Sequence, residues 1–238
     1  MKKSQFPEKA FETLFIHELL TRYSSPYKTA FYIPSQVLEG NVSYDFCFVD
    51  NLGSKTKRKV IFIQFKVSEE YEKKYKGFYK FKIYKNRKSH PFKQHNRLCK
   101  YNKYGLGNIV AVYCAPRFTT MKDFYNNVAS HDVINNSTLC VPRNPLYKDS
   151  HYIRFNNCIA YQCSKKPTRI EIASFSEILE KLEPISCDEF GSIINNYHMS
   201  TVDEGSHENY DEDNQEMKSN KDENKSNSSS ENSYFFFI

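Results

Sequence analysis

The chain has 238 residues, enough for one well-buried domain with extensions, and nowhere does an apolar run reach the length needed to cross a bilayer. Seven scattered cysteines and the absence of any Cys-x-x-Cys exclude a disulfide framework or a zinc knuckle. The formal charge of +6 is divided: residues 203–238 carry ten acids against three lysines, a tail of −7, which leaves +13 on the rest and marks a polyanion binder rather than an enzyme of small metabolites.

Residues 7–22, from Pro7 to Arg22, read as an amphipathic helix, with Pro7 suited to the first turn and Phe11, Leu14, Phe15 and Leu19 as the packing stripe. Ser24-Ser-Pro-Tyr breaks it. Residues 43–49 (Ser-Tyr-Asp-Phe-Cys-Phe-Val) and 59–67 (Lys-Val-Ile-Phe-Ile-Gln-Phe-Lys-Val) read as strands, rich in aromatic and β-branched residues. The polar link between them contains Gly53, as expected of a hairpin with a longish loop. Asp45 stands nineteen residues before Gln64. Side chains two apart on a strand share a face, so Gln64 and Lys66 are expected to project together while Phe65 turns the other way. The second strand is otherwise apolar on both faces, the pattern of a central strand, in which an unpartnered Gln and Lys would be costly to bury. A carboxylate, an amide oxygen and an ammonium at one sheet edge can hold a hard divalent cation beside a positive charge, which suits phosphodiester hydrolysis.

Residues 72–103 contain twelve Lys and Arg and one acid, Glu72, interleaved with seven aromatic residues from Tyr75 to Tyr101. Lysine and arginine neutralise phosphates and exposed rings stack on bases, although about half of these aromatics should simply alternate into the core. Residues 88–103 read as a helix ended by Gly105-Leu-Gly107, with His90, Gln94, Arg97 and Tyr101 on one face. The nucleic-acid contacts expected are Lys73, Lys80, Lys82, Lys85, Arg87, Lys88, His90, Gln94 and Arg97; His95 is expected to have a structural or surface role rather than a catalytic one.

The continuous apolar run 108–114 predicts a buried, parallel strand ended by Ala115-Pro116, and 120–129 a further helix. Short strands are expected at 138–142, 151–155 and 158–163. Ser174-Phe-Ser-Glu177 forms a capping box ahead of Ile178, Leu179 and Leu182. This order predicts an α/β fold, a mixed central sheet flanked by helices, over residues 1–202. Residues 203–238 have almost nothing to bury and are expected to be a disordered acidic, Asn/Ser-rich tail, closed by an unusual Tyr-Phe-Phe-Phe-Ile that suits a docking motif for a protein partner. The N-terminus lacks the apolar core of a secretory signal, so a cytoplasmic protein with no membrane contact is expected. There is no Gly-x-Ser-x-Gly elbow and no Gly-rich phosphate loop.

Asp45, Gln64-Phe-Lys66 and the acidic first helix together resemble the PD-(D/E)XK, or restriction-endonuclease-like, nuclease superfamily, in the Mrr-like variant where Gln replaces the second acid. Gln64-Phe-Lys66-Val-Ser, Phe81-Lys-Ile83, Gln94-His-Asn96 and Val112-Tyr-Cys-Ala-Pro-Arg-Phe118 also resemble segments of an uncharacterised bacterial group, over roughly residues 8–160. The resemblance implies a restriction-endonuclease-like core. It implies catalytic roles for Asp45, Gln64, Lys66 and Glu12, with Mg²⁺ or Mn²⁺ held by Asp45, Gln64 and Glu12. Glu8, one turn earlier, competes with Glu12, and Tyr44 stands where the motif has Pro. Lys66 would orient the attacking water and stabilise developing negative charge. The activity expected is hydrolysis of nucleic-acid phosphodiester bonds, with DNA taken as the substrate and RNA left open, in restriction, phage defence or mobile-element biology; a catalytically inactive binding module or an interaction subunit is the alternative. A homodimer is left open.

Overall fold

The N-terminal helix is held at both ends by acids. The computed structural model describes residues 1–23, 29–34, 43–50, 57–83, 93–104, 108–146, 151–163, 167–186, 188–192 and the backbone of 236–237. Helix α1 (Glu8–Tyr23) buries Phe11, Phe15 and Leu19 completely, each worth about 1.5–3 kcal/mol of transfer free energy. Near its C-terminal end Glu18, itself buried, accepts from the backbone N–H of Val133 at 2.8 Å and pairs with Arg22 at 2.8 Å, fixing the helix to the 131–136 turn.

Of the twelve strands among the described residues, eleven follow a single path. β1 (Thr29–Tyr32), β2 (Phe46–Asp50) and β3 (Lys57–Phe65) pair antiparallel in sequence order. β6 (Ile109–Pro116) then lies parallel to β3, with Gln64 opposite Tyr113, as the unbroken apolar run predicts. β7 (Ser137–Val141) and β10 (Thr168–Ala173) extend this sheet antiparallel. β10 then serves two sheets: its second half pairs with β7, and its first half pairs with β9 (Ala160–Cys163). From β9 the order continues to β8 (His151–Phe155), β5 (Tyr79–Ile83) and β4 (Glu69–Glu70). β11 (Ile185–Ser186) pairs with the start of β3, and β12 (Phe236–Phe237) lies antiparallel on the edge strand β1. Of the acidic tail, only these last two residues are described.

Two cores result. On one face of the first sheet Phe11 and Phe15 of α1 pack edge-on against Phe65, in company with α3 (Met121–Ser130) and α4 (Phe175–Lys181). On the other face α2 (Lys93–Tyr104) contributes Leu98 and Tyr101, and the inner side of the second sheet contributes Phe81, Ile153 and Phe155. The molecule is thus mixed α/β, a large and mostly antiparallel sheet flanked by helices. The capping box forms as read: Ser174 Oγ accepts from the Glu177 backbone and Glu177 reaches back to the Ser174 N–H at 2.7 Å.

β1, β4, β5, β10, β11 and β12 were not expected from sequence. β5 lies inside the basic run, where alternation sends Phe81 and Ile83 inward and Lys82 outward. The expected alternation of aromatics into the core therefore holds for Phe81, and Tyr101 is also core, 3 % exposed against Phe62. No helix is long and apolar enough to cross a membrane among the described residues.

Candidate active site

The strand register carries Asp45 to the C-terminal end of β3. Its N–H donates to the Ile63 carbonyl at 2.9 Å, so it lies immediately ahead of the β2 ladder and turns its carboxylate toward the Gln64–Phe65 peptide. One oxygen, Oδ2, accepts both the Phe65 backbone N–H and the Gln64 side-chain amide, each at 2.6 Å. Tyr44, at the place of the motif's Pro, is 4 % exposed and stacks on Phe62 with centroids 4.4 Å apart, so it serves the core rather than the site.

Alternation puts Gln64 on the α2 side of the sheet, where its Oε1 accepts from Gln94 Nε2 at 2.6 Å. Lys66 lies one residue beyond the strand, anchored by its N–H to the Cys114 carbonyl at 2.9 Å. It is 7 % exposed and its ammonium meets Glu8 of α1 at 3.6 Å. The other oxygen of Glu8 accepts from the Val67 N–H at 3.2 Å. Gln64 and Lys66 thus bond to opposite helices: the former to α2, the latter to α1.

Glu12, one turn beyond Glu8, is 7 % exposed and accepts from Lys9 at 2.6 Å. Burial raises its carboxyl above the ordinary carboxylate value; the hydrogen bond and charge of Lys9 draw it back, while the negative charges of Asp45 and Glu8 raise it further. Of the two helix acids, Glu8 pairs with Lys66, while Glu12 pairs with Lys9 and is near enough to Asp45 to feel its charge.

Among the described residues, no three His, Cys, Asp or Glu side chains are grouped closely enough to hold a metal ion. In the bonding present, Gln64 turns its amide nitrogen, not its oxygen, to Asp45, and Lys9 occupies Glu12. The donor types do fit a hard cation, since carboxylates and an amide oxygen are the ligands Mg²⁺ and Mn²⁺ prefer. Glu12 would have to leave Lys9, and Gln64 would have to invert.

The expected nucleic-acid contacts divide. Lys85, Arg87, Lys88 and His90 lie outside the described residues. Lys73 and Lys82 are exposed, and Lys80 pairs with Glu69 at 3.3 Å. Gln94 is half-buried on Gln64. Arg97 is corrected: at 5 % exposure it is a buried residue of α2, because its position one helical step from Leu98 and Tyr101 turns it under the helix rather than out to solvent. His95 takes the structural role expected of it, held between the Tyr113 hydroxyl at 3.2 Å and the Asn144 carbonyl at 3.0 Å.

Sequence reading missed the outer face of the second sheet. Lys80 and Lys82 of β5, Tyr152 and Arg154 of β8, and Tyr161 of β9 lie on it together, with Lys80 opposite Arg154 and Arg154 opposite Tyr161. The Arg154 guanidinium sits 4.2 Å from the Tyr75 ring and 5.4 Å from that of Tyr161, and the Lys80 ammonium 5.6 Å from Tyr152. The signal was available in Tyr152-Ile-Arg154, whose period of two matches that of Lys80-Phe-Lys82, but only pairing joins the two segments.

No family model matches the chain, and neither a curated protein nor a solved structure matches it.

Proposed function

We infer that this chain is a divalent-metal-dependent nuclease with a restriction-endonuclease-like core, hydrolysing DNA phosphodiester bonds. The observation that carries the reading is the hydrogen-bonded pair of Asp45 and Gln64 at one strand end, with Lys66 two residues on and paired to Glu8 of α1. Asp45 and Glu12, with the Gln64 amide oxygen, would hold Mg²⁺ or Mn²⁺. Such an ion supplies Lewis acidity and lowers the pKa of a bound water. Lys66 would orient the attacking water and offset the charge growing on the phosphate, with Glu8 setting where its ammonium points. A buried lysine suits that task, because its charge acts in a medium that screens little.

The basic outer face of the second sheet supports a polyanionic substrate. Lys80, Lys82 and Arg154 supply phosphate contacts, and the tyrosines beside them supply stacking surface. Restriction or phage defence is the setting this activity would serve. Purified full-length protein is expected to nick supercoiled plasmid in Mg²⁺ or Mn²⁺, and Asp45→Ala and Lys66→Ala are each expected to abolish the nicking. Activity retained in both variants would overturn the assignment.

One observation favours a second reading, a binding module that keeps the fold without the chemistry: Gln64 closes the site by donating to Asp45. Salt-sensitive DNA binding unaffected by Mg²⁺ and by Asp45→Asn, with no nicking, would select it.

A further inference from the structure

We propose that Gln94 is a positioning residue that sets which end of the Gln64 amide faces Asp45, so that the two side chains form a paired amide switch controlling entry of a divalent cation. The proposal rests on the nuclease reading for the identity of the ligand, but its geometry stands on hydrogen-bond chemistry alone.

An ionised carboxylate only accepts hydrogen bonds. The group that Gln64 turns to Asp45 at 2.6 Å is therefore its NH₂, and its oxygen is left facing the opposite way. That oxygen is taken up by Gln94 Nε2, also at 2.6 Å. The assignment of both amides is thus fixed by Asp45 and not by a choice between similar atoms. In this state Gln64 has no oxygen to offer a cation beside Asp45. Inverting Gln64 alone would bring its NH₂ against the NH₂ of Gln94, two donors face to face. The two amides therefore invert together: Gln94 then offers Oε1 to the Gln64 NH₂, and the Gln64 oxygen faces Asp45.

Gln94 holds its station because the next two residues tie α2 down. His95 bonds to Tyr113 on β6, and Asn96 makes a reciprocal pair with Leu146, donating to its carbonyl at 2.9 Å and accepting from its N–H at 2.8 Å. The Gln94-His-Asn96 run thus has a use for each member, one in the site and two in anchoring the helix that carries it.

The test changes what residue 94 can do and reads Mn²⁺ binding to the full chain by titration calorimetry and by loss of the free-ion EPR signal. Gln94→Glu makes residue 94 an acceptor only, so the Gln64 NH₂ is drawn to it as well as to Asp45, and a cation arriving beside Asp45 finds the inverted amide, oxygen toward Asp45, already supported. Affinity for Mn²⁺ is expected to rise about tenfold, the scale of one hydrogen bond set in the right sense. Gln94→Asp adds the same charge on a stem one methylene shorter, and is expected to raise affinity no more than about twofold. With Gln64→Glu, residue 64 no longer has two unlike ends, and adding Gln94→Glu is expected to give no gain. Equal effects of Gln94→Glu and Gln94→Asp, weaker binding in Gln94→Glu, or an undiminished gain in the Gln64→Glu background would each overturn the switch while leaving the nuclease reading intact. The expected pattern of Mn²⁺ affinities without plasmid nicking would uphold the switch and remove the nuclease. No Mn²⁺ binding by any of the proteins would overturn both.

Discussion

Acidification should weaken this protein through one imidazole. His95 is fully buried, donates from Nε2 to the Asn144 carbonyl and accepts at Nδ1 from the Tyr113 hydroxyl, an arrangement that uses the neutral ring. Burial pushes its pKa down from 6.5 to about 4; the Asn144 carbonyl opposes the shift and the nearby His151 adds to it. The unfolded chain therefore takes up the proton first as pH falls, and unfolding is favoured by mass action. The stabilisation is fully present above about pH 6.5 and is lost progressively as pH falls toward 4. At about 1.36 kcal/mol per unit, the loss from this residue alone is about 2 kcal/mol at pH 5 and about 3 kcal/mol at pH 4. His95→Gln keeps a donor and an acceptor without a titrating ring, so it isolates the effect from carboxylates that titrate in the same range. Urea unfolding of both proteins between pH 7.5 and 4.5 is expected to show the variant less stable at neutral pH, with the gap narrowing by about 2 kcal/mol at pH 5. A gap that stays constant over this range would refute the reasoning.

Three further outcomes are expected. Glu18→Gln leaves the Val133 N–H and Arg22 without their anion at a buried position, and is expected to cost about 3 kcal/mol in urea unfolding, with Glu18→Ala at least as costly. Cys158 is the exposed cysteine among the described thiols, whereas burial holds the thiols of Cys47, Cys99, Cys114 and Cys140 well above the ordinary range; maleimide labelling of native protein is therefore expected at Cys158 before any of these, as mass mapping would show. Removing residues 203–238 strips a charge of −7 from a chain of +6 and is expected to tighten non-specific DNA binding at low salt, with the difference shrinking as salt rises in fluorescence anisotropy.

The core of the fold was legible where one segment carries its own signal. Asn108–Cys114 reads as a parallel, doubly covered strand because every residue from Ile109 on is apolar, and β6 is that strand. Ser174 and Glu177 announce a helix start through hydrogen bonds that need no distant partner. Asp45 and Gln64 were matched because the two strands are close in sequence, and the ladder that pairs Phe46 with Ile63 brings them together. The second sheet was hidden for the opposite reason. β5 pairs with β8 some seventy residues away, and its outward lysines make the segment look like a charged loop when read alone. The same limit concealed the inner partner of Gln64: Gln94 shows on a helical face as a surface residue, and only the packing of α2 on the sheet turns it inward. Arg97 fails in the same way, a charged residue assigned to solvent that tertiary packing covers.

Phe65 has two attachments that bear on how damage to this protein would look. Its backbone N–H is held by Asp45, and its ring is gripped edge-on by Phe11 and Phe15 of α1. The peptide that aligns the acid is thus the same peptide that the aromatic core keeps still. A genetic screen for loss of the proposed nuclease activity should consequently recover apolar positions on α1 beside the charged ones, in a protein that still folds. Phe11→Leu is the kind of change meant: it alters no charge and no hydrogen bond, yet it loosens the surface against which Asp45 is measured. In this molecule the oily face of the first helix is part of the ruler as much as part of the glue.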